Sequence, residues 1–513
     1  MEVAGKNLLN VCKLLFSLAR TETNDALFSN EDISGPLLGL LRQCDEVSDS
    51  EALVYGVGTV KLLASNADLR PQLVENGALS FLHSLLSSYL QQGEVDVAPS
   101  TNIENVLVQL TAALRNLLEH SSLSSSLVSS GLLPLLARLL SVHLSHPSIT
   151  FNISRLLSKL TLRRDCCEAV VSCPSFLPLL LHALTLHHSH HEILVRVCFI
   201  LGNLTTDDDG VRYELCLTHK ALSPLSSLLS SSLASELERD RDGTAVHEKS
   251  PDEEILIKLV RLLANLSVEA RAGAEVASDK TIVGGLLTVL ESLPLTSYSE
   301  LSVNTLATLN NLSFHAPTDS YLLNHLFRLS QLLVQVLLED NGEPLLECVR
   351  CYGNLSRHKT VRDAIAKSKV DELLITLLDS SRYELVSASC GVLVNLMADS
   401  THRATLVSAA GVDKLLDVLR DFGSSDWHLA SLVCQILWNF SAEGMTSSVA
   451  IFGQEEVERL IPLLHSYTEV PETGEEEWRE HFIPVATSLL DRVLSHHTPL
   501  LPLSDPTPLP PVN

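Results

Sequence analysis

One short phrase returns along this 513-residue chain at nearly even intervals, and that recurrence restricts the fold more than any other feature. It reads Leu114-Arg-Asn116-Leu-Leu, Leu201-Gly-Asn203-Leu-Thr, Leu263-Ala-Asn265-Leu-Ser, Leu309-Asn-Asn311-Leu-Ser, Tyr352-Gly-Asn354-Leu-Ser, Val394-Asn395-Leu-Met and Leu437-Trp-Asn439-Phe-Ser. Degenerate copies place Lys61 and Lys159 at the asparagine's station, and a first copy places Ser17 there. From position 17 to position 439 the successive intervals are 44, 55, 43, 44, 62, 46, 43, 41 and 44 residues. A modal period near 43 belongs to an array of stacked helical units.

The two long intervals hold insertions. Residues 91–102 (QQGEVDVAPSTN) are polar, and residues 235–254 (SELERDRDGTAVHEKSPDEE) are mostly charged. Both read as solvated loops, because the repeat resumes on either side and removing them restores the common period. Within a unit the apolar residues follow helical spacing. In 344–379, a long apolar helix over Leu345–Leu355 ends at Asn354-Leu-Ser. A short helix over Lys359–Lys367 then turns Val361, Ala364 and Ile365 inward, and Val370–Leu378 forms a third with Leu373, Leu374, Leu377 and Leu378. The short segment recurs before Gly77, Gly131 and Gly411, where glycine ends a helix in the left-handed conformation at least cost.

One such unit cannot bury the apolar faces of three helices, so about ten units are expected to share one core. The expected organisation is all-α. Repeats occupy 1–90, 103–234 and 255–466, with loops at 91–102 and 235–254, a capping helix over 467–496 and a Pro-rich tail over 497–513. The chain begins almost inside a repeat, as a piece of a longer protein would.

The three-helix phrase, with its G-(small/apolar)-L-x-x-L-x-x-L-L and A-L-x-N-L-S wording, resembles the armadillo repeat over about residues 8–490. The wording of 260–275, 346–400 and 427–443 resembles more narrowly the armadillo repeat-containing protein 2 family of ciliated and flagellated cells. The resemblance implies a right-handed superhelical solenoid whose long helices line a concave groove. It also implies a groove ladder at Asn116, Asn203, Asn265, Asn311, Asn354, Asn395 and Asn439. A carboxamide offers both donor and acceptor, so a ladder of them suits the backbone of an extended partner. The competing reading is that each asparagine satisfies orphan carbonyls near the end of its own helix.

One helical turn earlier, importin-like armadillo proteins carry tryptophan. Here those positions are Val57, Ala112, Arg155, Phe199, Arg261, Ala307, Arg350, Gly391 and Gln435, which counts against gripping lysine stems between indoles. Arg155, Arg261 and Arg350, with Lys61 and Lys159, instead put cations on the expected groove. Guanidinium forks match carboxylates, so the expected partner is a protein with acidic extended segments. Arginines simply paired with nearby glutamates are the alternative. The family resemblance implies cytoplasmic and cilium or flagellum localisation. It implies a part in axoneme assembly and spermatogenesis, carrying or docking radial-spoke or central-apparatus components. A nuclear-transport or catenin-like peptide-binding receptor is the rival reading.

Composition removes several other classes. With 36 Lys+Arg against 62 Asp+Glu the net charge is −26, so no nucleic acid is held by a globally basic surface. Hydrophobic residues at 45% with aromatics at only 4% favour helices packed on helices. The start MEVAGKNLLN lacks signal-peptide features, and Phe176–Leu186 falls short of the ~20 apolar residues a span needs. Eleven scattered cysteines form no disulfide framework, and the expectation is a reduced, intracellular, soluble protein without membrane insertion.

Candidate chemistry is sparse. Cys348-Val-Arg-Cys351 has no second pair, and Cys166, Cys167 and Cys173 are poorly spaced for tetrahedral coordination. The cluster His182, His187, His188, His190 and His191 falls on a helix end and loop. Glu475–Glu477 reads as a solvated helix start, and Trp427, Trp438 and Trp478 as packing. No phosphate-loop, dinucleotide, zincin or nucleophile-elbow motif occurs. The expectation is a scaffold or adaptor, not an enzyme, with no cofactor and no metal.

Overall fold

A computed structural model describes residues 6–30, 33–92, 101–119, 123–241, 249–338, 342–442, 452–468 and 475–497, and every regular element among them is helical. The chain divides into two compact units, Met1–Pro294 with His315–Tyr321, and Leu295–Phe314 with Leu322–Asn513. In the first unit the long helices are α1 (Lys6–Ala19), α2 (Ser50–Ser65), α3 (Thr101–Leu117), α4 (Pro147–Leu160), α5 (His191–Leu204) and α6 (Pro251–Leu266). Each packs against the next. A second layer, Ala78–Gln92, Leu132–His143, Phe176–Leu186, Leu222–Arg241 and Lys280–Ser292, stacks in the same order. In the second unit the long helices are α7 (Ser299–His315), α8 (Gly342–Leu355), α9 (Tyr383–Met397), α10 (Trp427–Phe440) and α11 (Ile483–His497), and α8 to α11 pack in sequence.

The long helices are apolar almost all round because they are covered on several sides. On α5, Ile193, Leu194, Val197, Cys198, Ile200, Leu201 and Leu204 are all buried, against α4 on one side and α6 on the other. No single described helix is long and apolar enough to cross a membrane.

Several joints share one device. A left-handed residue stands immediately before the helices that begin at Ala78, Leu132, Val370 and Gly411, at Gly77 (φ 79°), Gly131 (φ 75°), Lys369 (φ 57°) and Ala410 (φ 53°), and two residues before Leu222 at Lys220 (φ 52°), whereas Phe176–Leu186 and Lys280–Ser292 are entered without one. Glycine serves two of these stations as expected. At Gly411 the expectation is off by one, since Ala410 takes the left-handed turn. Gly411 is small for a different reason: a Cβ there would lie 2.4 Å from Leu406 Cδ1 and 2.9 Å from the Leu406 carbonyl oxygen.

A second device ties the short helix back to the long one. The last carbonyls of a helix have no partner further along it. Arg70 donates to the carbonyls of Ala64 (2.9 Å) and Ser65, Arg212 to Thr205 (2.7 Å) and Thr206, Arg362 to Ser356 (3.0 Å) and Arg403 to Met397 (3.0 Å). At the equivalent station the Cys167 thiol points at the Thr161 carbonyl, 3.2 Å away.

The charged insertion is largely not the solvated loop expected over 235–254. Ser235–Arg241 continue the helix Leu222–Arg241, and Ser250 caps α6 by accepting from the Glu253 amide at 2.9 Å. Glu236 is 1% and Glu253 5% exposed. Ser250 Oγ donates to Glu236 at 2.5 Å, and Arg239 pairs with the same carboxylate. The charges satisfy one another internally, so composition alone misread them as solvent-facing. Gln91, Gln92, Thr101 and Asn102 of the first insertion are also helical. Its centre at 93–100, residues 242–248 and the tail from 498 onward lie outside the described residues.

At the C-terminal end, the run Glu475–Glu477 opens a helical segment that continues through Trp478–Phe482 into α11. Trp427 packs on Phe482 (centroids 5.1 Å) and Tyr467 (5.8 Å), and Trp478 Nε1 donates to the Tyr467 carbonyl at 2.8 Å. The late tryptophans therefore pack the last layers together.

Candidate protein-binding face

The asparagines all fall near the C-terminal ends of long helices and are half-buried. The amide nitrogens of Asn116, Asn203, Asn265, Asn354, Asn395 and Asn439, however, face inward along the stack. Asn265 Nδ2 donates to the Gly202 carbonyl (2.8 Å), Asn354 to Asn310 (3.1 Å), Asn395 to Gly353 (3.0 Å) and Asn439 to Val394 (2.9 Å). Each acceptor is the residue just before the asparagine station of the preceding repeat. Asn265 and Asn395 add contacts to Thr205 Oγ1 (3.3 Å) and Ser356 Oγ (2.9 Å), and Asn203 reaches Thr161 Oγ1 at 3.2 Å. Asn311 sits half-buried on α7.

These rungs change the expected chemistry. Where both amide hydrogens go to the preceding repeat, as at Asn265, Asn354 and Asn395, the carboxamide has no donor left to present beside its acceptor to a partner's backbone. Nor is the satisfied carbonyl on the asparagine's own helix, as the competing reading had it. It belongs to the helix one repeat before.

The rungs also correct the register of one candidate. Asn116 Nδ2 donates to the carbonyl of Lys61 at 2.9 Å, which puts Lys61 one residue before the asparagine station and Leu62 on it. The last rung is not an asparagine at all. Arg492 of α11 donates to the Trp438 carbonyl at 2.9 Å and to Ser441 Oγ at 3.1 Å, with its guanidinium 3.1 Å from the centre of the Trp438 ring.

The cations divide by their partners. Lys159 pairs with Glu119, and Arg350 with Glu347 at 2.5 Å, so these two follow the paired alternative. Arg155 lies over the Phe151 ring at 5.7 Å and Arg261 is exposed. Among the described residues neither has a carboxylate within ion-pair distance. Two more cations, which the repeated phrase does not mark, lie on the neighbouring long helices: Arg115 on α3 and Arg196 on α5. Arg115 donates to Asn152 Oδ1 (2.7 Å) and Asn116 Oδ1 (3.1 Å), while Arg196 Nε is buried without a hydrogen-bond partner. Burial, then the Arg115 charge, lowers the basicity of Lys61, and burial, then Arg155, lowers that of both Arg115 and Arg196. Burial disfavours the charged form, and an adjacent like charge adds to it. The missed signal was an arginine one position before Asn116 and seven before Asn203, off the single phase followed in the sequence.

The remaining candidates are structural. Cys348 and Cys351 are fully buried, their thiols directed at the carbonyls of Leu333 and Leu306 at 3.3 Å, and burial pushes both up from the ordinary thiol range. His187 is buried against the Leu144 carbonyl at 2.7 Å. Among the described residues no group of three or more His, Cys, Asp or Glu is placed to hold a metal ion.

Stacked three-helix units joined rung by rung define an armadillo-repeat protein. Two solved structures share the fold. One, a crystal structure of an engineered protein, matches with TM-score 0.63 at 19% identity, over 89% of this chain and 98% of that one. The other comes from work on a phosphorylation switch controlling the interaction between cadherin and β-catenin. It matches with TM-score 0.70 at 15% identity, over 94% of this chain and 88% of that one. No family model matches. The particular protein this chain resembles is armadillo repeat-containing protein 2. The Bos taurus form is 36% identical over 525 residues, the Mus musculus form 36% over 522 and the Homo sapiens form 35% over 526. Each alignment takes in 99% of this chain and 61% of the relative, so the chain spans about three fifths of their length.

Proposed function

We propose that the chain is a non-enzymatic scaffold that binds acidic extended segments of protein partners across its long helices. The observation that carries this reading is a group of arginines, Arg155, Arg196 and Arg261, that make no salt bridge among the described residues, on consecutive long helices of a chain whose net charge is −26. Cations left unpaired amid so many carboxylates are available to a carboxylate from elsewhere. The likeness to armadillo repeat-containing protein 2 supports placing this work in the cytoplasm and in cilium or sperm-flagellum assembly, with radial-spoke or central-apparatus components as partners. Proximity labelling in a ciliated cell tests the setting. Enrichment of axonemal components over a cytosolic control is expected, and labelling no different from that control refutes it. Arg261→Glu should weaken an acidic partner by about 1–3 kcal/mol with the fold intact, and unchanged binding removes the groove from the account.

A further inference from the structure

The cationic stretch does not stand alone. On α4 and α5 the same stripe that carries Arg155 and Arg196 runs on toward the helix N-termini. There it meets a cleft of about 570 Å3 bounded by α4, α5 and α6, all within the first unit. Phe151, Ile193, Val195, Pro147 and Pro251 give the cleft mainly apolar walls. Arg155, over the Phe151 ring, sits at the junction of the apolar and cationic parts. Arg196 is the neighbour of Val195 and has a buried Nε with nothing to donate to. A donor so placed stays unsatisfied until it is met, and a carboxylate meets it best. Glu192 and Glu254 also line the cleft, with Lys249, His190 and His191, and the two carboxylates draw the Arg196 charge up, opposing its burial. The face thus carries a cleft of apolar walls and mixed charge beside Arg155 and Arg196.

We propose that this α4–α5–α6 face of the first unit is a docking site for a short acidic segment with one large apolar side chain, the apolar group entering the Phe151–Val195 cleft while adjacent carboxylates pair with Arg155 and Arg196. The proposal rests on the scaffold reading and deepens it, naming where the partner anchors and what motif it carries. The second unit offers a weaker equivalent, because its Arg350 is paired with Glu347 and Arg362 and Arg403 are donating to helix-end carbonyls. Charge complementarity selects the acidic segment. The cleft, within the size range of small-ligand sites, selects the apolar anchor.

The test is fluorescence anisotropy on the full chain with three labelled probes: a short glutamate-rich peptide with one central leucine, the same peptide with serine for leucine, and a lysine-rich counterpart. Only the first should bind well. Arg196→Glu should weaken it about tenfold or more, and Val195→Asp comparably, while Arg350→Glu leaves it unchanged. Arg196→Gln serves if the reversal disturbs the melting temperature. Equal binding of leucine and serine peptides overturns the apolar anchor. Binding lost with Arg350→Glu but kept with Arg196→Glu overturns the location while the scaffold reading stands. No binding of any acidic peptide overturns both.

Discussion

Replacing Asn395 by alanine separates an asparagine that joins repeats from one reserved for a partner. Its Nδ2 makes two hydrogen bonds to the preceding repeat, to the Gly353 carbonyl at 3.0 Å and to Ser356 Oγ at 2.9 Å. Gly353 lies among the last four residues of α8, whose carbonyls cannot be met further along the helix. At about 1 kcal/mol net per half-buried hydrogen bond, the change should destabilise by about 2 kcal/mol. For a cooperative unit of roughly 200 residues this lowers the melting temperature by about 4–8 °C. Differential scanning calorimetry of the full chain reads it directly. Asn395→Asp keeps the shape but turns an acceptor toward the Gly353 carbonyl, and should cost at least as much. A cycle with Ser356→Ala should be non-additive, because the two side chains share the rung. If both Asn395 variants melt with the parent protein, the rung contributes nothing, and the carboxamide is free for a partner after all.

Ala410→Gly should stabilise by about 1 kcal/mol in thermal melts, since φ at this position is costly for any residue with a Cβ. Gly411→Ala should destabilise, because its Cβ would strike Leu406. Burial alone would raise the Asp399 carboxyl, but hydrogen bonds from Thr401 and the pairing with Arg362 hold it down to about 2. Its stabilising effect is therefore full above its ordinary value of 3.8 and lost as pH falls from there toward about 2. An acid titration followed by circular dichroism should show that part of the loss vanish in Asp399→Asn. Arg492→Met should loosen the last layer by about 1–3 kcal/mol, seen as faster proteolysis at the C-terminal end.

Repeat, period and helical class were legible because each unit must show the same apolar stripe to a neighbour, and that requirement writes itself into spacing. The site was harder to read. Asn395 and Asn439 lie where the phrase put them, yet a phrase carries no direction for a side chain, so a rung between helices looked like a hand held out to a partner. Lys61 slipped by one because its copy has leucine at the diagnostic station. Arg70, Arg362 and Arg403 fall outside the repeated phrase, although Arg362 and Arg403 stand eight residues after Asn354 and Asn395, because they belong to the short helix that closes the long one. Glu236 and Glu253 were misplaced because composition counts charges but does not show that Arg239 and Ser250 meet them inside the fold.

The rung reads angle and ignores length. Donor and acceptor stand 63 residues apart for Asn265 but 42 for Asn395, with the same contact at the end. Connecting segments can therefore grow or shrink without altering the joint. Slipping one residue inside a long helix turns everything beyond it by about 100° and swings the amide off its carbonyl. Tolerance in this molecule should accordingly be sharply unequal, with generous allowance for added chain between helices and almost none for a single residue gained or lost within them.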